Sequence, residues 1–138
     1  MRKLTKIEQR NADVLGDAAL FHVTETILNK NIQDCNVAIR GLLKREGVID
    51  YAELEAGDKV TLEGVYSDGT ETTVSAYRAK TRGDKRIWFN GLKNYADAGD
   101  IMALVIRSGK LVIQNVTKGV AVAVFVLNFA EPVTKMAF

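Results

Sequence analysis

Apolar and polar residues alternate in short runs along most of the chain, and this pattern predicts strands rather than long helices. In the run 59–66, Val60 and Leu62 point to one side of a strand, while Thr61 and Glu63 point to the other. Glycine-containing turn signals separate most of the runs. The chain is therefore predicted to fold as a mainly β domain.

Eight runs are predicted as strands, and two helical turns are predicted to interrupt them. The strands span approximately 20–27, 35–40, 59–66, 71–79, 85–90, 101–107, 110–116 and 120–127, and the helical turns lie near 41–46 and 92–96. Many short strands at this spacing are typical of a closed or half-closed barrel.

The first residues predict a helix ahead of the strands. Thr5 and Glu8 form a capping-box pattern, and Gly16 is a suitable end for the helix. One apolar face is predicted to contain Leu4, Ile7, Val14 and Leu15. We therefore divide the chain into a helical extension, 1–18, and one domain, 19–138.

The composition is that of a single folded domain. Apolar residues make up 47% of the 138 residues, a composition typical of a folded rather than a disordered chain. The net charge of +2 allows at most a localised basic patch. With one cysteine, Cys35, no intrachain disulfide can form, which favours a reducing compartment. No run is long enough to cross a bilayer and the N-terminus does not resemble a signal peptide, so we expect a cytoplasmic protein that does not bind membranes.

Motifs for catalysis and metal binding are missing from the sequence. His22 and Cys35 are the only residues of their kinds, which excludes zinc clusters within the chain. A Cys35–His22 nucleophile pair is one alternative, although two strand or core residues are the more common situation. No phosphate-binding loop occurs, and neither does the Asp/Glu-x-Lys element of metal-dependent nucleases. We expect no catalytic residue, metal or cofactor in this chain by itself.

A basic run is the most informative feature of the sequence. Within nine positions it contains Arg78, Lys80, Arg82, Lys85 and Arg86, interrupted by one acid, Asp84. Such cations neutralise phosphates, and arginines also form forked bonds to guanine. Gly83-Asp84 allows the chain to reverse, which predicts a basic hairpin arm. The alternative is an ordinary solvated hairpin.

The segment Lys80-Thr-Arg-Gly-Asp-Lys-Arg-Ile87 resembles the DNA-recognition arm of the effector-binding domain in restriction endonucleases of the EcoRII type, which has the form Lys-Thr-Arg-x-acid-Lys-Arg-Ile. The wider order of elements is similar to the bacterial relatives of the plant B-three DNA-binding domain. In that family a short turn follows the arm, and Gly-Asp then opens an apolar strand, as Gly99-Asp100 does here. The resemblance covers roughly 20–127.

The resemblance implies an open pseudobarrel of seven to eight strands with short helices, in which two arms grip the major groove of DNA. The matching arm supplies Arg82, Asp84, Lys85 and Arg86, with Asp84 as a possible acceptor for cytosine N4. Asp84 replaces a glutamate of the family pattern, and Gly83 replaces a bulkier residue, which implies a looser arm. The remaining candidates at this arm are Arg78, Lys80 and Trp88. Trp88 is placed at the base of the arm, and the alternative is a plain core or surface aromatic.

The second arm is expected after the first strand. Its candidates are short amides, hydroxyls, one lysine and one acid, which suit base edges and phosphates: Thr24, Thr26, Asn29, Lys30, Asn31, Gln33 and Asp34. The alternative is that half of them only stabilise a loop.

By resemblance, the expected function is sequence-specific recognition of double-stranded DNA. The chain would be the N-terminal recognition or effector domain of a bacterial Type II restriction endonuclease with a CCWGG-like site, where W is A or T. It would bind as a monomer. A covalently linked, magnesium-dependent nuclease domain would follow Phe138. The alternatives are a stand-alone transcription regulator of the same fold and a protein-interaction β-barrel module.

Overall fold

The computed structural model describes residues 1–119. The predicted strand 120–127 lies outside this range. The elements are, in chain order, helix α1 (Lys6–Leu15), strand β1 (Ala19–His22), helices α2 (Glu25–Lys30) and α3 (Val37–Arg45), strands β2 (Lys59–Tyr66), β3 (Glu71–Arg78), β4 (Lys85–Phe89), β5 (Ile101–Arg107) and β6 (Lys110–Asn115), and two short 3-10 turns, Tyr51–Glu53 and Leu92–Asn94.

All six strands belong to one sheet, in the order β1-β5-β6-β2-β3-β4. Neighbouring strands run antiparallel except β2 and β6, which pair in parallel from Gly64↔Leu111 to Tyr66↔Ile113. The mainly β prediction is confirmed, but the described residues provide six strands rather than seven or eight.

The sheet curls so far that its two end strands meet. Phe21 of β1 and Phe89 of β4 stack with ring centroids 5.1 Å apart and ring planes within 6°. Because β1 and β4 are the first and last strands in the sheet order, this contact is possible only in a strongly curled sheet. The result is a half-barrel with apolar side chains inside.

Apolar residues are buried on both faces of the central strands. Met102 and Leu104 of β5 belong to the interior cluster, whereas Ala103 and Val105 belong to a second cluster on the outer face. Strand geometry explains this, since successive side chains point to opposite faces. Helix α1 covers the outer face of the sheet and contributes Ala12 and Leu15 to the second cluster.

The capping box predicted for helix α1 is confirmed, and the predicted apolar face is confirmed for Leu4 and Leu15, which pack against the outer-face cluster, but is wrong for Ile7 and Val14. The Thr5 hydroxyl accepts from the Glu8 N–H, and the Glu8 carboxylate accepts from the Thr5 N–H. Ile7 and Val14 are 56% and 59% exposed, however. At 100° per residue these two lie together on a flank, while Glu8, Ala12 and Leu15 form the buried face.

The predicted strand 20–27 is wrong beyond His22. Thr24 has extended backbone and its hydroxyl accepts from the Ile27 N–H at 3.2 Å, so the chain begins α2 instead. Threonine favours strands by propensity, but it also caps helices, and the tertiary structure selects the second role.

The predicted strand 35–40 is wrong as well, because that segment begins α3. The Asn36 side chain accepts from the Ile39 N–H at 2.8 Å and caps the helix. Ile39, Leu42 and Leu43 then form one buried face at helical spacing. The helical turn predicted near 41–46 is the second half of this longer helix.

The later strands match their predictions closely. The predicted bounds of β2 and β5 are reproduced, and β3, β4 and β6 each end one residue earlier than predicted. The helical turn predicted near 92–96 corresponds to Leu92–Asn94. Alternation and glycine turns are local signals, and here they agree with the burial of each strand.

Gly99 and Asp100 immediately precede β5. Gly99 has φ +99° and its N–H donates to the Val23 oxygen at 2.7 Å. Burial alone would raise the pKa of Asp100, but hydrogen bonds from the Asp97 N–H and the Asn115 amide outweigh it and lower this pKa below its usual value. The Gly-Asp pair thus joins β5 to the end of β1 and to β6.

A buried carboxylate fastens α1 to the sheet. Glu8 is 2% exposed and accepts two bonds from the Arg2 guanidinium, at 2.7 and 2.5 Å, and one from the Thr117 hydroxyl at 2.6 Å. The same hydroxyl accepts from the Ile101 N–H at 2.8 Å. These bonds, led by the one from Arg2, hold the pKa of Glu8 far below its ordinary value. The helical extension is therefore an integral part of the fold.

Glu8→Gln is expected to lower the free energy of unfolding at pH 7 by about 1.5–3 kcal/mol, since it weakens hydrogen bonds to a charged group. A lowered pKa means that the folded protein binds fewer protons than the unfolded chain. The stabilisation is therefore present above about pH 4.3 and is lost as the pH falls below it. In urea unfolding experiments, the difference in the free energy of unfolding between the wild type and the variant should become smaller as the pH falls through the acidic range.

Glu63→Gln, at an exposed position on β2, is the matched control and should change stability little at any pH. If the difference in the free energy of unfolding between the wild type and Glu8→Gln stays constant from neutral to acidic pH, the charge of Glu8 contributes nothing to stability.

Candidate functional site

The basic run forms the turn between β3 and β4. The Ala79 N–H donates to the backbone oxygen of Asp84 at 2.9 Å, and the Gly83 N–H donates to the backbone oxygen of Ala79 at 2.8 Å. Lys80, Thr81 and Arg82 occupy the exposed part of this turn. We call residues 79–84 the arm turn.

Arg78 is a brace for the arm turn rather than a free cation. Its guanidinium donates to the backbone oxygens of Gly83 at 2.8 Å and of Leu54 at 3.0 Å. Gly83 is required there, because it has φ +74° and an added Cβ would lie 3.3 Å from the Arg78 guanidinium. The resemblance implied that Gly83 loosens the arm, but here it permits a tight contact.

Asp84 holds two arginines together. The Nη2 atoms of Arg82 and Arg86 each donate to Asp84 Oδ2 at 3.2 Å. The Arg82 side chain is 78% exposed, whereas that of Arg86 is 22% exposed. Arg82 is thus exposed to solvent while it is hydrogen-bonded to Asp84, and Arg86 is more deeply buried, at the base of the arm turn.

The residues predicted for a second arm form a short helix and the segment after it. Thr24 caps α2, and Asn31 ends it in the left-handed conformation with φ 56°. Thr26, Asn29 and Lys30 are exposed on α2. Thr24 and Asn31 thus stabilise the two ends of α2.

The segment 33–35 pairs with the outer edge of β4. The Ile87 N–H donates to the Gln33 oxygen at 3.0 Å, and the Cys35 N–H donates to the Lys85 oxygen at 2.9 Å. Between them, Asp34 and Arg86 form an isolated antiparallel bridge. The two predicted arms, far apart in sequence, therefore share one backbone seam.

Arg86 connects the two predicted arms through its side chain as well. Its Nε lies 4.0 Å from Asp34 Oδ1, at the limit of an ion pair and too far for a hydrogen bond. The Asp34 side chain is 88% exposed, so this attraction is weak. Arg86 accordingly lies between Asp84 on one side and Asp34 on the other.

A cleft of about 610 Å³ opens beside this seam. Its polar lining comes mostly from the predicted second arm and from Arg86, and includes Thr24, Thr26, Lys30, Gln33, Asp34 and His22. Its apolar lining includes Phe21, Ile27 and Ile32. The structure thus brings most of the predicted second set to one concave surface together with one residue of the first set.

Two buried polar atoms near this cleft lack partners. Gln33 is 4% exposed, and neither its Oε1 nor Arg86 Nε has a hydrogen-bond partner among residues 1–119. Buried polar atoms are nearly always paired in proteins. These two exceptions occur in residues that line the same cleft.

The remaining arm residues and one residue that the sequence analysis missed are structural in position. Trp88 is half-buried against the interior cluster and pairs with Ser75. Lys85 is also half-buried. Tyr51 is buried and donates to the Arg86 oxygen at 2.7 Å. No local signal indicates Tyr51, because the contact spans 35 positions.

Acidic residues lie close to the arm turn. The Arg78 N–H donates to the Asp58 oxygen at 3.0 Å, and the Gly57 N–H donates to the Arg78 oxygen at 2.9 Å. The loop that makes these bonds also contains Glu53 and Glu55. These backbone bonds attach a loop that contains three acidic residues to the end of β3.

Cys35 has the properties of an inert thiol. It is 1% exposed, and burial raises its pKa to about 11, although the neighbouring Tyr51 hydroxyl and Arg40 oppose the rise. Within residues 1–119 no group of three histidine, cysteine, aspartate or glutamate side chains is placed to hold a metal ion. In the same residues no helix has the length and apolarity to cross a membrane.

We expect Cys35 to react slowly with a thiol reagent such as dithionitrobenzoate at pH 7. A rise of the pKa from its ordinary value of 9.0 to about 11 reduces the thiolate fraction at pH 7 by roughly 100-fold, and burial restricts access further. The labelling rate of the native protein should be compared with that of the urea-unfolded chain. Labelling that is faster in the native protein than in the unfolded chain would instead support the nucleophile pair Cys35–His22.

Comparison of the chain with protein-family models, with curated proteins and with solved structures finds no match.

Proposed function

We propose that this chain recognises double-stranded DNA, which it contacts with the arm turn and with the segment 24–34. The observation that carries the proposal is the seam between the segment 33–35 and β4, which joins the end of the predicted second set to Lys85 and Arg86 of the first set. Direct readout of bases requires such convergence, because a few side chains must reach neighbouring base pairs in one groove.

The arm turn supplies charge and directed donors. Arg82 is exposed, and the bond to Asp84 Oδ2 limits its freedom, so it is suited to a forked contact with guanine O6 and N7. Lys80 is exposed in the same turn and serves as a phosphate contact. Asp84 positions both arginines and also provides the acceptor that the resemblance assigns to cytosine N4.

The segment 24–34 contributes the second set of proposed DNA contacts. Lys30, Thr26 and Asn29 are exposed on α2 and offer one cation and two neutral polar groups to phosphates and base edges. Gln33 is buried, and we assign it to the cleft rather than to the groove surface. Thr24 and Asn31 act by shaping α2.

In its finer form the proposal is that the half-barrel is a B-three-like pseudobarrel and the recognition or effector domain of a Type II restriction endonuclease with a CCWGG-like site. Support comes from the match of 80–87 to the family arm and from Gly99-Asp100 at the start of β5. Cleavage would then require a linked nuclease domain with its own magnesium. A transcription regulator of the same fold, or a protein-interaction module, is the alternative.

Arg82→Ala is expected to weaken binding to the preferred duplex by about 1–3 kcal/mol, and binding to random duplexes much less, because it removes a forked contact to a base. Arg82→Lys should lose almost as much, since lysine keeps the charge but not the fork. Gel-shift titrations at several salt concentrations, on a duplex chosen by binding-site selection, would measure both effects.

The matched control is Arg10→Ala, which removes the same charge from an exposed position on α1. Equal losses for Arg82→Ala on preferred and random duplexes would show that this residue contacts only phosphates. Binding that does not depend on salt would favour the protein-interaction module, because phosphate neutralisation releases counterions.

Asp84→Asn is expected to broaden base preference while retaining most of the affinity. The amide is similar in shape but attracts Arg82 and Arg86 less, and losing an acid reduces repulsion from phosphates. Sequencing of the bound fraction from a randomised duplex pool would show the change at a guanine or a cytosine. An unchanged preference at every position would reduce Asp84 to a turn residue.

A further inference from the structure

The first half of β2 is an open sheet edge within residues 1–119. Strand β3 pairs with β2 from Lys59 to Val65, but β6 pairs with it only from Gly64 to Tyr66. The backbone of residues 59–63 therefore has no paired strand on its second side among the described residues. We call residues 59–63 the open edge. An uncovered edge of this kind is a template for pairing with another strand.

The burial of the side chains along β2 changes at the residue where β6 begins to pair. Val65 and Tyr66, beside β6, are buried, whereas Val60 and Leu62 on the open edge are only half-buried. Val74, which lies opposite Leu62 on β3, is fully buried, so the apolar layer is complete at β3 and incomplete at β2. A further strand beside the open edge would cover Val60 and Leu62, and this burial of apolar surface would favour its addition.

The exposed face of the open edge carries opposite charges at its two ends. Lys59, Thr61 and Glu63 are exposed, and they share one face because alternate residues of a strand point to the same side. Within residues 1–119 neither Lys59 nor Glu63 has an ion-pair partner. Lysines on edge strands commonly oppose association, because like charges repel a second copy. Here the two charges differ in sign and lie at equal distances from Thr61, so they do not oppose it.

An antiparallel strand of the same sequence matches the open edge in charge and in apolar pattern. When Thr61 of one copy lies opposite Thr61 of a second copy, Lys59 lies opposite Glu63 and Val60 lies opposite Leu62. Opposite charges and paired threonines stabilise cross-strand contacts. Each charge pair occurs twice, since a two-fold axis relates the two copies. A parallel pairing in register would instead place like charges side by side.

We propose that the open edge is an interface between two copies of this chain, which pair antiparallel about Thr61. The pairing is limited to five residues a copy, because the chain turns before β2, where the Asp58 N–H donates to the Glu55 oxygen at 2.9 Å, and because Leu111 of β6 occupies the place beside Gly64. A standard interface has roughly 20–30 residues a side, so the dimer is weak. It departs from the monomer that the resemblance implies, and it does not rest on the proposed DNA binding.

Charge reversal at either end of the open edge tests this pairing. Lys59→Glu brings two acids together across the interface and Glu63→Lys brings two lysines together, so each variant should weaken dimerisation by about tenfold or more. Sedimentation equilibrium of the whole chain, between about 1 μM and about 1 mM, would measure the dissociation constant. Lys93→Glu is the matched control, because it makes the same change of charge at an exposed position on the 3-10 turn Leu92–Asn94. It should leave the dimer unchanged.

A mixture of the two single variants gives the sharpest result. In a mixed pair every acid again lies opposite a lysine, so Lys59→Glu and Glu63→Lys together should associate as tightly as the wild type, although neither does so alone. The double variant should also dimerise as the wild type does, because it only exchanges the two charges. If neither the mixture nor the double variant recovers the wild-type affinity, the antiparallel pairing about Thr61 is wrong.

The remaining outcomes would overturn the proposal in different ways. A dimer that both single variants leave unchanged uses another surface of the protein. A wild type that stays monomeric up to about 1 mM has no second copy on this edge. In that monomer, fast amide exchange at residues 59–63 would leave the edge to a different partner, and slow exchange would indicate cover by residues 120–138 of the same chain. None of these measurements uses DNA, so the proposed function is tested separately.

Discussion

The closure of the sheet is the constraint on which the rest of the structure depends. Phe21 and Phe89 stack across the open side of the half-barrel, and the segment 33–35 bonds to the free edge of β4. An uncovered edge strand would leave unpaired backbone groups and invite association with other chains. Closing that edge with a segment that is not a regular strand satisfies the backbone and joins the end of the predicted second set to Lys85 and Arg86 at the base of the arm turn.

The same closure leaves buried polar atoms of Gln33 and Arg86 without hydrogen-bond partners among residues 1–119. Backbone pairing at Gln33 and Ile87 brings the Gln33 side chain into a buried position, while Arg86 is drawn towards Asp84. An apolar residue at position 33 would satisfy the fold more simply, because it would need no partner. Retaining a glutamine and an arginine there is a departure from good packing, and such departures concentrate at functional sites.

The arm turn shows the opposite behaviour, since its cations are divided between structure and solvent. The Arg78 guanidinium bonds to backbone oxygen, and the Arg86 side chain is mostly buried. The Arg82 side chain remains exposed and pairs with Asp84. A basic run in a sequence therefore overstates the number of cations that are free for a partner. The fold converts five similar charges into a small number of positioned donors, which favours specificity over bulk attraction.

The sequence by itself determined the mainly β class, the bounds of β2 and β5, the capping box of α1 and the location of the arm turn. These features depend on local signals: alternation with period two, glycine turns and a reciprocal Thr5–Glu8 cap. Tertiary structure alone decided that Thr24 and Asn36 cap helices, because a capping residue and a strand residue look alike until burial selects between them. It also decided that Gln33, Arg86 and Tyr51 meet, since these contacts join segments far apart in sequence, and only closure of the sheet brings them together.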